Sequence, residues 1–379
     1  MKNGEVKYLK AYETLRTEVL GGKYSSPKSF PSIVATCKRF GISRMTAFKV
    51  FEKLKEEGLI STRQGAGTFV AKGGRSRLVG LVIPGVSYSS EFFQPIIASL
   101  VQCAHERDYT ILMEGVWTPD AKNNSEEALA VAQRLVERKV AGVIYQPLEY
   151  SQNSEAANRR VLEHFAGAGI PVVLLDGDIV PYPDRSGFDL VSIDNVAAGE
   201  TIAAHLMERG AKNICFLMRE NWVQNVRNRA HGVGNAVLAN GGEWKQSSVI
   251  CGDPLDAGFV GRIMRRRPRP DAFVCENDIL AAGLKMMLED LGFNVPDDVM
   301  VAGFDDVQIA RITSPGITTI RQPLETIAQL AFKRLCERMS DPHSPQTAFH
   351  AICPFSIVVR GTTRRKQNPK TKQTKGADL

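Results

Sequence analysis

The chain has 379 residues, 43% hydrophobic and 23% charged, an ordinary globular composition with room for two or three domains. No apolar run is long enough to span a membrane, and the charged start MKNGEVKYLKAYETLRTEVL lacks a signal-peptide core, so a cytoplasmic protein is expected. The net charge of +7 is uneven: residues 1–72 hold 14 Lys/Arg against 6 Asp/Glu, residues 360–379 hold 7 against 1, and the rest carries −7. A basic head and tail around an acidic body point to a head that meets a polyanion. The seven cysteines are scattered and never in CxxC spacing. That argues for small buried residues in a reducing compartment, against disulfides or zinc.

In the head, residues 7–20 place Tyr8, Leu9, Tyr12, Leu15 and Val19 at helical spacing, and Gly21-Gly22 stops the run. Ser32 is placed to cap a short helix from Ile33 to Phe40, which Gly41 ends. Ser43 is placed to cap a third helix whose Ala47, Val50, Phe51 and Leu54 share one inward face, with Gly58 as its stop. ISTRQGAGTFV then reads as two short strands around Arg63–Gly67.

Helix, short helix, turn, helix and hairpin is the order of a winged helix-turn-helix. Arg44, Met45, Phe48 and Lys49, with Thr46 alongside, face outward at the start of the third helix, where such a helix enters the major groove of double-stranded DNA. Arg63, Gln64 and the amides around Gly65 form a tip that can reach phosphates or the minor groove. A nucleotide cradle fits GAG poorly, because the phosphate-loop spacing is absent and no helix follows. The motifs P-S, G-I-S-R-M-T, E-E-G-L-I and R-Q-G-A-G-T-F-V resemble the GntR-type winged helix over roughly residues 8–70. The resemblance implies DNA contacts at Arg44, Thr46, Lys49 and the Gly65 turn, and Ser43, at the start of the same helix, is counted with the DNA-contacting residues. This chain departs from it at Ile33-Val34, where that family has Glu-Arg, and at Phe48, where it has Arg. Two readings of Phe48 are open: contact with a thymine methyl, or packing on the first helix.

From Arg77 near-continuous apolar strands alternate with helices: RLVGLVIP, YTILMEGV, VAGVIYQP and PVVLLDGD, then, after a bridging VSIDN, NICFLM, SSVIC, DAFVCEND and VMVAGFDD. This predicts an α/β body of two doubly wound lobes, split near residues 178–192. Ligands bind beyond strand C-termini in such sheets, where Ser87, Asp176, Glu276, Asn277, Asp278, Asp305 and Asp306 fall on one rim. Carboxylates and amides there match a hydroxyl-rich ligand.

The motifs G-I-P-V-V-L-L-D, D-N-V-A-A-G, R-N-R-A-H-G, E-N-D-I-L-A-A-G and T-T-I-R-Q-P-L resemble the sensor domain of the lac/gal repressor family, a periplasmic-binding-protein-like type I fold. That resemblance implies ligand contacts at Phe92, Phe93, Asp176, Arg227, Asn277 and Asp305, with Arg229 structural. The loop GVSYSSEFF is longer than the family pattern, which brings in Tyr88 or Glu91. Trp222 is a stacking candidate or a packed loop aromatic.

The expected layout is a head at 1–72, a flexible linker at 73–77, a sensing and dimerising body at 78–361, and a basic disordered tail at 362–379. The combination resembles chimeric regulators of the arabinose-repressor style. It implies a homodimer that binds operator DNA, answers to a small effector such as a sugar or sugar derivative, and releases repression as the family default. No cofactor or metal is expected, nor an enzyme. The chain holds no G-x-S-x-G or H-E-x-x-H, and His105, His164, His205 and His231 form no ligand pair or triad. The alternative is a solute-binding receptor without a DNA role, against which the basic head and the missing signal peptide speak.

Overall fold

The computed structural model describes residues 3–20, 23–24, 30–63, 67–70, 76–84, 90–115, 124–148, 154–219, 224–340 and 347–364. The chain divides into two compact units, a head up to Leu78 and a body from Val79 onward, with residues 139–141 grouped with the head.

The head contains α1 (Asn3–Leu20), α2 (Ile33–Phe40), α3 (Arg44–Glu56), β1 (Ile60–Arg63) and β2 (Gly67–Val70). Ser32 Oγ accepts from the Ala35 amide at 3.1 Å, and Gly41, at φ 61°, closes α2 in the left-handed region. Ser43 Oγ accepts from the Thr46 amide at 3.1 Å and starts α3. The two strands pair antiparallel from Ile60↔Val70 to Arg63↔Gly67. Ala11, Leu15 and Val19 of α1 pack against Val50, Phe51 and Leu54 of α3, with Phe30, Leu59 and Ile60 closing the core. The inward face of α3 is as expected. In α1 the expectation fails at Leu9, which is exposed; Ala11 takes the inward position instead.

The body's first lobe holds β3 (Leu78–Val82), α4 (Ser90–His105), β4 (Thr110–Met113), α5 (Asn124–Glu137), β5 (Gly142–Tyr145), α6 (Ser154–Gly167), β6 (Val172–Leu175) and β7 (Asp189–Ile193). The second holds α7 (Asn195–Glu208), β8 (Ile214–Met218), α8 (Gln224–Ala239), β9 (Val249–Cys251), α9 (Ala257–Met264), β10 (Ala272–Cys275), α10 (Asp278–Asp290), β11 (Met300–Phe304), α11 (Gln308–Ile312) and β12 (Thr318–Arg321). Then α12 (Leu324–Ser340) packs back on the first sheet, β13 (His350–Cys353) joins β7, and β14 (Ser356–Val358) pairs antiparallel with β12. The strand orders are β4-β3-β5-β6-β7-β13 and β9-β8-β10-β11-β12-β14.

The lobes are therefore not two successive halves. The segment VSIDN is no bridge: it contains most of β7, a full member of the first sheet, and the chain crosses only after Ile193. It crosses again between β12 and α12 and between β13 and β14, so three short crossings join the lobes.

Candidate functional site

Two regions combine exposed or buried polar groups in a way the fold alone does not require. The first is the start of α3. Arg44, Met45, Phe48 and Lys49 are exposed there, and Thr46 Oγ1 lies 2.9 Å from Ser43 Oγ. Phe48 keeps 49% of its surface open and is absent from the head's core, which removes the reading in which it packs on α1.

Several of the head's cations are neutralised by carboxylates. Lys53 and Lys55 pair with Glu56 and Glu52, Arg16 with Glu57, and Lys23 and Arg39 with Glu18. The hydrogen bond from Arg39 holds the Glu18 carboxyl down to about 2. Arg44 and Lys49 form no ion pair among the described residues. Arg44 moreover opens a helix whose first turn has no acidic residue, so its charge adds to the positive end of the helix dipole. That arrangement disfavours the isolated helix and favours an anion in front of it.

The second region lies between the lobes, at the C-terminal ends of their strands. Asp176 follows β6 and Asp305 follows β11, and both sit in the left-handed region, at φ 70° and 102°. Non-glycine residues adopt such angles uncommonly, and clusters of them at strand ends facing a cleft are a feature of ligand sites. Each is held there by a backbone bond to the neighbouring strand, Asp176 N–H to Val191 O at 2.9 Å and Asp305 N–H to Ile320 O at 2.8 Å.

Between the two aspartates stands Arg229 of α8, only 5% exposed. Its Nε donates to Asn195 Oδ1 at 3.0 Å and its Nη1 to the Glu276 carbonyl at 2.7 Å. Its Nη2 lies 3.6 Å from Asp305 Oδ1, and its guanidinium sits 4.5 Å from the centre of the Phe304 ring. Burial pushes the Asp176 carboxyl up to about 6, against the pull of Arg229, and it pushes Asp305 up as well. Asn225 Nδ2 donates to Asp176 Oδ2 at 2.9 Å, and Gln322 Nε2 to Asp305 Oδ1 at 2.9 Å. Three buried acceptor atoms, Asp176 Oδ1, Gln322 Oε1 and Gln146 Oε1, have no hydrogen-bond partner among the described residues.

Glycine contact between helices makes this placement possible. A Cβ on Gly199 of α7 would meet the Arg229 carbonyl at 2.1 Å, and one on Gly232 of α8 would meet the Val196 carbonyl at 2.0 Å. The two backbones touch there, which seats Arg229 and Asn195 against each other.

The other expected contacts are placed as follows. Asn277 caps α10, accepting from the Leu280 amide at 2.9 Å, beside Glu276, whose buried carboxylate pairs with Arg219 at 2.6 Å. Arg227 lies one turn-fraction before Arg229 on α8, and burial lowers its pKa. Phe92 and Phe93 are buried and meet edge to face at 4.9 Å. Asp306, unlike Asp305, is a structural hub that pairs with Arg311, Arg321 and Arg360. An open groove of about 710 Å³ runs past Glu91, Gln94, Asp305, Arg321 and Gln322, and Glu91 Oε2 reaches across the lobes to accept from the Gln308 amide at 3.0 Å. Gln64, Gly65, Ser87, Tyr88 and Trp222, the Arg63 side chain, most of the linker and nearly all of the basic tail lie outside the described residues.

Arg229, Asn195, Asn225 and Gln322 are the cleft residues that reading the sequence did not assign to ligand. The signal for Arg229, Asn195 and Gln322 was present in the motifs R-N-R-A-H-G, D-N-V-A-A-G and T-T-I-R-Q-P-L, whose polar residues meet only in three dimensions; Asn225 lies outside all three.

Comparison with known proteins gives the following. Residues 7–70 match the bacterial regulatory proteins of the gntR family, and residues 203–363 match a periplasmic binding protein-like domain. The chain is 26% identical over 372 residues to an arabinose metabolism transcriptional repressor of Geobacillus stearothermophilus, covering 94% of this chain and 98% of that one. It is 28% identical over 268 residues to the HTH-type transcriptional repressor PurR of Photorhabdus laumondii, covering 70% and 74%. In structure it resembles a transcriptional regulator CelR–cellobiose complex, with TM-score 0.64, 21% identity, and 88% of this chain and all of that chain covered. It also resembles a LacI family regulator of Enterococcus faecium with bound ribose, with TM-score 0.60, 20% identity, and 76% of this chain and all of that chain covered.

Proposed function

We propose that this chain, a DNA-binding transcription regulator that joins a gntR-family head to a periplasmic-binding-protein-like body, is a homodimeric repressor controlled by a sugar or sugar derivative. The observation that carries the effector reading is the buried cluster of Asp176, Arg229 and Asp305 with its unpartnered acceptor oxygens. Buried acceptors left without donors are costly, and a ligand rich in hydroxyl donors satisfies them. Arg229, held by neutral partners on one side, offers its remaining N–H groups to ligand oxygens. The like-folded regulators crystallised with cellobiose and ribose are in keeping with this ligand class.

The head reads operator DNA through Arg44, Met45, Thr46, Phe48 and Lys49, Ser43 sets the helix start, and the hairpin from Arg63 to Gly65 follows the backbone. Effector changes operator affinity by the difference in its affinity for the two lobe arrangements, and by no more than that. Repression is supported by the full-length relative, a named repressor.

The test is a thermal-shift screen of the full chain against mono- and oligosaccharides, followed by mobility shifts on promoter DNA with and without the ligand found. Arg229→Ala is expected to abolish the ligand shift and keep DNA binding; Arg44→Ala is expected to do the reverse. Loss of both activities in both folded variants removes the division of labour proposed here.

A further inference from the structure

The five-residue helix α11 starts without a cap of its own. Val307 holds the capping position, in extended backbone at φ −73° and ψ 169°, and its side chain makes no capping bond. The first amides of a helix have no acceptor within it, so here they find one elsewhere. The Val307 amide donates to Asp278 Oδ2 at 3.0 Å, inside the second lobe. The Gln308 amide donates to Glu91 Oε2 at 3.0 Å, and Glu91 stands at the start of α4 in the first lobe. Glu91 and Gln308 line the groove that also takes in Asp305 and Gln322. Asp305 precedes Gln308 by three residues, so the backbone that carries the cleft aspartate runs directly into the helix start that Glu91 holds.

We infer that Glu91 is a latch between the lobes. Its carboxylate caps α11 only while the lobes stand as they do here, and it therefore favours this arrangement over any in which they part. None of the three crossings that join the lobes includes Glu91 or Gln308, so a rotation about them can separate the pair. Separation returns one amide and one carboxylate to water, and because Glu91 is exposed the bias is modest, about three- to tenfold. A bias of that size leaves the balance of arrangements within reach of a ligand that prefers one of them. The consequence for DNA rests on the proposed coupling of lobe arrangement to the head; the latch itself does not.

The donor is a backbone N–H, which proline lacks. Proline is accepted at the first position of a helix, and the extended Val307 before it suits proline. Gln308→Pro thus removes the donor and keeps α11. The test uses the full chain with no effector added. Spin labels at Gln94→Cys on α4 and Ile312→Cys at the end of α11, both exposed positions, report the distance between lobes by pulsed electron paramagnetic resonance. Cys37, Cys251 and Cys336 are replaced by Ser, and labelled chain is diluted with unlabelled chain so that one protomer is read. Glu91→Ala is expected to add a longer distance, with the ratio of the two populations moved about three- to tenfold. Gln308→Pro is expected to do the same, and the double variant no more than either alone, because both changes remove one bond. Distances unchanged in the single variants overturn the inference. So do single effects that add, which would give Glu91 a role apart from Gln308. If Gln308→Pro does not fold, Glu91→Gln takes its place, expected between wild type and Glu91→Ala; wild-type distances in both Glu91 variants overturn the inference. On DNA fragments selected by wild type, Glu91→Ala and Gln308→Pro are expected to change affinity by one common factor. Shifted distances with unchanged DNA affinity would uphold the latch and remove the coupling of lobes to head instead.

Discussion

Asp176 is buried to 7% exposure, in a strained backbone conformation, with one carboxylate oxygen unpartnered. Its carboxyl titrates at about 6, against 3.8 for an unperturbed aspartate. Between those values the folded protein holds a proton that the unfolded chain has released. The contribution of this group to stability is therefore complete below the unfolded value and is lost as pH rises through about 6. At about 1.4 kcal/mol per unit the loss amounts to roughly 3 kcal/mol at most. Asparagine keeps an acceptor for Asn225 and cannot ionise. Asp176→Asn should thus gain stability relative to wild type as pH rises from 4 to 7, read as the difference in melting temperature between the two proteins. Asp305, raised in the same direction, is present in both proteins. A difference that stays flat across that range would show that burial of this carboxylate carries no cost.

At the scale of elements, the head was legible almost to the residue. Both caps and the glycine stop after α2 are local signals, and the inward face of α3 is a periodic one. Leu9 was misread because one period fits two neighbouring stripes on a helix, and only packing chooses between them. The same logic predicts the fate of two phenylalanines on α3. Phe51 is in the core, so Phe51→Ala should cost about 3–5 kcal/mol. Phe48→Ala should leave the amide-exchange protection of α1 and α3 near wild type and change which DNA sequences are selected.

The cleft was legible as a list of rim residues but not as a site. Asn195 and Arg229 are 34 positions apart in the chain, and their meeting depends on the glycine contact between α7 and α8. Gly232→Ala, with its Cβ driven into the Val196 carbonyl, should destabilise by about 1–3 kcal/mol or more and weaken effector binding, since Arg229 must move. Gly167→Ala, which meets nothing within 4 Å, is the control and should do neither. Equal thermal shifts and equal ligand responses for the two variants would separate the helix contact from the site.

For the whole molecule, the first crossing, after Ile193, falls at the edge of the expected division near 178–192, and the return of α12 and β13 to the first sheet is what the sequence did not show. β13 and β14 are short, complete opposite sheets and have no helix between them, so alternation in the sequence carries no trace of the exchange. For the proposed homodimer, an interface is offered by what the body leaves uncovered. On α10, Ile279 and Met286 are 55% and 51% exposed, at one face seven residues apart, with Gly283 between them. Leu255, 53% exposed, packs over Gly283, which widens the stripe. A contiguous exposed apolar stripe of this kind marks a contact surface, and a two-fold contact places the same stripe of a second copy against it. Ile279→Glu would bring a buried carboxylate into that contact from each side. Sedimentation should then find monomer at concentrations where wild type is dimeric. The sugar-induced thermal shift should persist, because the cleft is built within one chain. Binding to DNA fragments selected by wild type should fall by about 10²–10⁴, the loss expected when two linked heads become independent. A variant that stays dimeric would move the interface elsewhere on the body. A monomer that binds those fragments with wild-type affinity would mean that one head suffices for recognition.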